Sequence, residues 1–288
     1  MKTILLLIRP HQYIKNLFIF LPLFFIGQIT EPELLLNAFI AFVAFSISAS
    51  AVYILNDYRD IEEDRLHPQK KHRPLAAGII SNNNAIFLMI ILFIAGISLM
   101  AALSLNAVAI LGVYIALNIG YSFRLKHIAI VDVVIIAIGF VLRLFIGSIV
   151  TGVPLSEWII IMTFLLALFL ALAKRRDGFL IFLDTGNKMS EALDGYNIRL
   201  IDGAMQVMAS VVIVAYILYT TSPKVIEQMQ TENTYLTAFF VIVGIMRYLQ
   251  ITYVKEESGA PTNIVLRDKF MQITILAWLL TFAWIIYL

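Results

Sequence analysis

Apolar runs long enough to cross a bilayer recur along the whole chain, and no other feature limits its fold so severely. Crossing about 30 Å of hydrocarbon takes roughly 20 residues at helical rise. Within that layer the backbone must satisfy its own hydrogen bonds, which a helix does unaided. Nine such runs fall near residues 12–29, 34–56, 84–103, 106–122, 130–150, 156–173, 203–222, 235–253 and 269–287. Composition agrees, since 61% of the 288 residues are hydrophobic and only 14% charged, which is outside the range of a soluble domain. The expected fold class is all-α: a polytopic membrane protein of nine transmembrane helices, forming one domain over residues 1–288.

The first run follows "MKTILLLIRPHQYIKN". No small-residue cleavage site comes after it, so this segment is expected to be retained rather than removed as a signal peptide. Cysteine is absent, which excludes disulfides, thiolate metal sites and thiol nucleophiles. The net charge of +2 says little, but the placement of the charges says more. With nine spans and a cytoplasmic N-terminus, Lys224 is the one base among the 21 Lys and Arg that lies in an outer connection. The others gather at the inner side or, like Arg143 and Arg247, lie within spans. That is the positive-inside distribution of short loops. All four histidines, His11, His67, His72 and His127, fall on the same side, so the chemistry is expected at the cytoplasmic face of an inner or plasma membrane.

Three polar inner loops follow even-numbered spans: "NDYRDIEEDRLHPQKKHRPLAAG", "YSFRLKHIAIVD" and "AKRRDGFLIFLDTGNKMSEALDGYNIRLID". The first two belong to helix-pair-plus-loop units of comparable size, a weak hint of an internal repeat. Pro68 and Pro74 stop any helix running on from Asp64, and Gly78 permits a tight reversal before the third span.

Asn56, Asp60 and Asp64 recur at four-residue intervals where the second span leaves the membrane, with Asp57 on an adjoining face. On a helix such residues stack along one side. Stacked carboxylates repel unless a cation lies between them. Their hard oxygens suit Mg²⁺, which keeps some of its waters and bridges to substrate phosphates. The structural alternative is a solvated helix end whose acids pair with Arg59 and Arg65. Directly after the acids come His67, Lys70, Lys71, His72 and Arg73. Acids for a metal beside bases for phosphate oxygens make a diphosphate site. An anchor for anionic lipid would explain the bases but not the ordered acids.

The second loop repeats this pattern with Tyr121, Arg124, Lys126 and His127, followed by Asp132 at the start of the fifth span. Tyr121 also reads as an interfacial aromatic. Arg143 lies within that span about three turns beyond Asp132. An intramembrane arginine normally faces a cavity or a partner, with snorkelling as the alternative. Lys174, Arg175 and Asp177 end the sixth span, where bases also suit the negative pole of a helix. Gln12, Lys15 and Asn16 begin the first.

Together these residues resemble the UbiA superfamily of intramembrane transferases, whose Asn-Asp-x-x-Asp-x-x-x-Asp motif reads here as Asn56, Asp57, Asp60 and Asp64. Within it, "RPHQYIKN", "DRLHPQKKHRPLAAG", the stretch from "YSFRLKHIAIVD" to "GVPLSEW", and "LAKRRDG" are similar in order to the polyprenyl-phosphate phosphoribosyltransferase branch. The later "MRYL" and "PTNIVLRDKF" are similar to its ending.

The resemblance implies a UbiA-like bundle with 5-phosphoribosyl 1-diphosphate as donor, a membrane polyprenyl (decaprenyl-like) phosphate as acceptor and Mg²⁺ as cofactor. It implies no nucleic acid partner and leaves a homo-oligomer open. Asn56, Asp60 and Asp64 would hold the metal, and Asp60, Asp64 and Lys126 would be catalytic. Lys70, Arg73, Lys126 and Arg124 would take donor phosphates, with Asp57, His67 and Arg143 also in the phosphate site. Gln12, Lys15, Asn16, Lys174 and Arg175 would receive the acceptor phosphate, and Tyr121 and Asp177 would meet ribose hydroxyls or orient the bases. Two rivals stay open: an aromatic prenyltransferase using the same acids for a polyprenyl diphosphate, and a transporter of a polyprenyl lipid, suggested by Arg143.

Overall fold

The computed structural model describes residues 2–66, 70–186, 191–256 and 261–287. His67 and Pro68 lie outside them. The chain divides into two compact units, Met1–Leu155 and Ser156–Leu288. Eight helical segments among the described residues are long and apolar enough to cross a membrane. The chain is an all-helical integral membrane protein.

The first unit contains α1 (Lys2–Ile8), a 3₁₀ helix (Pro10–Phe20), α2 (Leu21–Phe25), α3 (Pro32–Arg59), α4 (Ile61–Leu66), α5 (Asn82–Ala101), α6 (Leu105–Phe123) and α7 (Val131–Thr151). Its centre is α3, whose buried face is mostly small: Ala38, Ala41, Ala44, Ser46, Ser48, Ala49, Ser50 and Ala51. In lipid, helices gain little from hydrophobicity and associate by close packing, which small residues permit. Phe45 fills the middle of this core, its ring 4.5 Å from that of Tyr114, among Leu111, Leu142 and Ile146. At 28 residues, α3 is about 42 Å long, roughly 12 Å more than the hydrocarbon core. The excess lifts its acidic C-terminal end out of the apolar layer.

The run expected at 12–29 is not one long α-helix. It forms the eleven-residue 3₁₀ helix followed by the five residues of α2. At about 2.0 Å per 3₁₀ residue and 1.5 Å per α residue the pair extends about 30 Å. This stretch therefore reaches the thickness of a bilayer core with fewer residues than an α-helix needs.

The second unit contains α8 (Glu157–Thr185), α9 (Ile198–Thr220), α10 (Pro223–Met229), α11 (Ala238–Tyr253), α12 (Pro261–Arg267) and α13 (Lys269–Tyr287). Local chemistry sets its boundaries. Ser156 and Asn197 accept backbone N–H groups at the starts of α8 and α9, which satisfies donors the helix leaves open. Trp278 Nε1 donates to Tyr216 Oη at 2.7 Å, and that hydroxyl meets Thr237 Oγ1 at 2.9 Å, tying α9, α13 and the approach to α11 together.

Candidate active site

The acidic ladder of α3 survives an interruption. The α3 helix ends at Arg59, and Asp60 caps it at φ −96°, ψ 11° before α4 begins. The hydrogen bonds nevertheless keep their four-residue step, from Asp60 N to Asn56 O at 3.0 Å and from Asp64 N to Asp60 O at 2.7 Å. The expected stacking is preserved across a bend. Beyond α4 the chain turns at Gly78, whose φ of +69° lies in the left-handed region. The sequence placed a reversal there.

Asp57 and Asp64 are only 2% and 1% exposed. Nη1 of Arg73 joins them, 3.1 Å from Asp57 Oδ1 and 2.7 Å from Asp64 Oδ2. Arg9 donates to the same Asp57 Oδ1 and lies 5.4 Å from the Tyr53 ring. The other oxygen, Asp57 Oδ2, is buried without a hydrogen-bond partner among the described residues. Lys70 stands 3.9 Å from Asp64. Burial first, then the adjacent Arg73 cation, push the Lys70 ammonium below the usual lysine value.

Lys126, from the 3₁₀ turn between α6 and α7, donates to Asp60 at 2.6 Å and lies 3.7 Å from Glu63. Asn56 accepts from Ser122, whose hydroxyl also bonds the Asn118 carbonyl at 2.7 Å. Four acids, Asp57, Asp60, Glu63 and Asp64, thus interlock with four bases, Arg9, Lys70, Arg73 and Lys126. Two of the elements feeding this cluster from outside the ladder carry strained backbone. Arg9 has φ 53° and Ile130, at the end of the Lys126 loop, has φ 70°. Non-glycine residues seldom adopt such angles, and β-branched ones least of all.

The sequence reading found Asn56, Asp57, Asp60, Asp64, Lys70, Arg73 and Lys126, and the structure brings them together. It missed Arg9, Glu63 and Ser122. The one signal for Arg9 was a charge directly before Pro10 at the start of an apolar run. Tyr121 is half-buried near the end of α6, Arg124 is exposed just beyond it, and Gln12 and Lys15 are half-buried on the 3₁₀ helix. Asn16 and Arg143 are bonded to one another: Arg143 Nε donates to Asn16 Oδ1 at 2.8 Å, both residues being almost fully buried. Lys174, Arg175 and Asp177 belong to α8 in the second unit, with Lys174 exposed.

Among the described residues no three His, Asp or Glu side chains form a ready metal cage. The donor set still fits Mg²⁺, which needs only one or two carboxylates when substrate phosphates and water complete its shell. The nitrogen of Arg73 between Asp57 and Asp64 marks where acids of this motif meet a cation. Two buried carboxylates already converge on a single positively charged point.

The UbiA prenyltransferase family model matches residues 16–276. Decaprenyl-phosphate phosphoribosyltransferase of Mycolicibacterium smegmatis is 31% identical over 290 residues, which cover 97% of this chain and 91% of the relative. The protein of that name from Corynebacterium glutamicum is 31% identical over 98% of this chain and 86% of its own length. Among solved structures, a UbiA homologue from Archaeoglobus fulgidus bound to GPP and Mg²⁺ superposes with a TM-score of 0.74 at 18% identity, over 99% of this chain and 100% of that one. The acidic motif at the end of α3, the helical architecture and the near full-length sequence match lead to one assignment: this chain belongs to the UbiA prenyltransferase family.

Proposed function

We propose that the protein transfers the 5-phosphoribosyl group from 5-phosphoribosyl 1-diphosphate to a polyprenyl monophosphate in the membrane, releasing diphosphate. The observation that carries this reading is the Arg73 bridge between buried Asp57 and Asp64, with Arg9 and Lys70 around it. Relatives named decaprenyl-phosphate phosphoribosyltransferase over nearly the whole chain support it.

The cluster balances its own charge, four acids against four bases. A polyanionic donor therefore enters most favourably when a cation comes with it, because either alone would leave buried charge uncompensated. Asn56, Asp60 and Asp64 would hold Mg²⁺, with Asp57 beside them, and the bound ion would neutralise the departing diphosphate. Arg73, Lys70 and Lys126 would take donor phosphates. Arg73 can offer a planar fork to one phosphate.

The bond from the ribose anomeric carbon to diphosphate breaks with its electron pair leaving on the diphosphate. A phosphate oxygen of the acceptor forms the new bond to that carbon. The acceptor is already an anion and needs no general base, in keeping with a site built from fixed charges rather than a nucleophile and base pair. The residues contribute by holding two mutually repelling substrates in place. The inner-side bias of the bases supports a cytoplasmic site and N-terminus. The 3₁₀ helix with α2 supplies a ninth crossing.

Incubating purified protein with 5-phosphoribosyl diphosphate, Mg²⁺ and polyprenyl monophosphate, followed by mass spectrometry of the lipid, tests this. The expected product carries one added ribose 5-phosphate, with one diphosphate released per lipid. An unchanged lipid, or turnover only with a polyprenyl diphosphate and an aromatic acceptor, would overturn the reading.

A further inference from the structure

The 3₁₀ helix at Pro10–Phe20 is unusual in its length. Such helices rarely exceed three or four residues because their hydrogen bonds are poorly aligned. This one runs for eleven, so something outside it must favour the tighter winding.

A 3₁₀ helix repeats every three residues, so Tyr13, Asn16 and Ile19 lie in one line along it. Each of them is fastened. Tyr13 Oη meets Ser50 Oγ at 2.8 Å and Asn16 Nδ2 donates to Ser46 Oγ at 2.8 Å, the two serines being one turn apart on α3. From α7, Arg143 Nε donates to Asn16 Oδ1 at 2.8 Å. One turn further along α7, Gly147 admits the backbone of Ile19, where a Cβ would stand 2.0 Å from the carbonyl oxygen. The three-residue spacing of these anchors matches a 3₁₀ helix and not an α-helix.

Arg143 is 4% exposed and forms no ion pair among the described residues. Its Nη1 donates to the Gly139 carbonyl at 2.5 Å. Its guanidinium lies 4.6, 5.2 and 5.3 Å from the ring centroids of Phe45, Tyr114 and Phe140. The negative faces of these rings stabilise a desolvated cation. A guanidinium committed in this way is not presented to a phosphate.

We propose that Arg143 is a positioning residue: through Asn16, together with the seat Gly147 makes for Ile19, it holds residues 10–20 in 3₁₀ register, and that register sets Arg9 against Asp57. Rewinding eleven residues as an α-helix would shorten the segment by about 5 Å and turn its start by roughly 200° relative to its end. Arg9 sits at that start, already strained at φ 53°, and would lose Asp57. The inference rests on the donor reading of the Asp57 cluster, but half of its test does not.

The first measurement is direct binding of 5-phosphoribosyl diphosphate, with Mg²⁺, to the full chain. Arg143→Met and Arg9→Met are each expected to weaken binding about tenfold, and the double variant no more than about twofold beyond Arg9→Met alone, because both act through one contact. Tyr13→Phe removes only a hydroxyl on the same face. It is expected to cost about two- to threefold in the native background and nothing in the Arg9→Met background, and it decides the matter if Arg143→Met does not fold. Additive losses, or no loss from either Arg143→Met or Tyr13→Phe, would overturn the proposal.

The second measurement needs no donor. Spin labels on cysteines replacing exposed His11 and Glu62 in the otherwise cysteine-free chain report the distance from the 3₁₀ helix to α4. Arg143→Met, or Tyr13→Phe if that is the variant that folds, is expected to shift or broaden this distribution by about 5 Å. An unchanged distribution would contradict the proposal. A shifted distribution in a protein that binds no donor would instead uphold the register and refute the donor reading.

Discussion

Both units pair arginine with carboxylate, but they do so in opposite ways. In the second unit Arg247 and Arg176 are each given to a single acid. Arg247 forks onto Asp268, Nε to Oδ1 at 3.2 Å and Nη2 to Oδ2 at 2.6 Å, while Nη1 reaches Gln250 at 2.7 Å. Asp268 Oδ1 also accepts the Met271 N–H at 2.8 Å near the start of α13. Arg176 likewise donates to Asp202 at 2.8 Å and to the Thr252 carbonyl at 2.9 Å, joining α8, α9 and α11. In the first unit one nitrogen of Arg73 serves two acids, one oxygen of Asp57 serves two arginines, and the other oxygen has no hydrogen-bond partner among the described residues. Satisfied pairs fasten helices. Over-shared ones are ready to exchange partners, as a site for a charged substrate requires.

The contrast predicts where function and stability separate. The largest effect is expected from Asp60→Ala and Asp64→Ala, each lowering transfer by roughly a hundred- to a thousandfold while the protein still purifies as a folded species. EDTA should do the same to the native protein. Near-normal turnover in an initial-rate assay of either variant would remove the acids from the reaction. Next comes Arg73→Ala, which should weaken donor binding by about 1.5 to 3 kcal/mol, roughly ten- to a hundredfold. Arg73→Lys should recover little, since a point charge does not replace a planar fork. Calorimetric titration with the donor checks both.

Smaller effects belong to the second unit. Arg176→Met strands a partly exposed Asp202 and is expected to cost about 2 kcal/mol of stability, read from thermal unfolding, with donor affinity preserved. The smallest concerns acid. Hydrogen bonds from Arg247 hold the Asp268 carboxyl below its usual value, so its contribution is present above the ordinary carboxylate range and is lost as pH falls through the lowered value. Asp268→Asn should flatten that acid limb of the melting curve and leave the neutral-pH rate intact.

Much of this was legible because membrane helices and the acidic ladder are written locally. The length of the apolar runs located the long helices, and the spacing of Asn56, Asp60 and Asp64 survived the break at Asp60 because the hydrogen bonds kept their step. The failures came from pairings across long stretches of chain. Arg9 with Asp57, and Arg143 with Asn16, are 48 and 127 residues apart, and no local pattern records them. The 3₁₀ winding of residues 10–20 escaped for the same reason, since serines on α3 and residues on α7 impose it. "MRYL" and "PTNIVLRDKF" stood out in the sequence, and Arg247 and Asp268 within them form the clamp between α11 and α13.

The most direct test is a parallel titration of native protein, Asp64→Asn and Asp268→Asn with 5-phosphoribosyl diphosphate at one fixed Mg²⁺ concentration, each protein also being melted. The expected result is donor binding by the native protein, loss of at least about tenfold in affinity for Asp64→Asn, and affinity within about twofold of native for Asp268→Asn despite a lower melting temperature. Equal loss of affinity in both variants, or full affinity in Asp64→Asn, would contradict the assignment of the donor site to the over-shared cluster of the first unit.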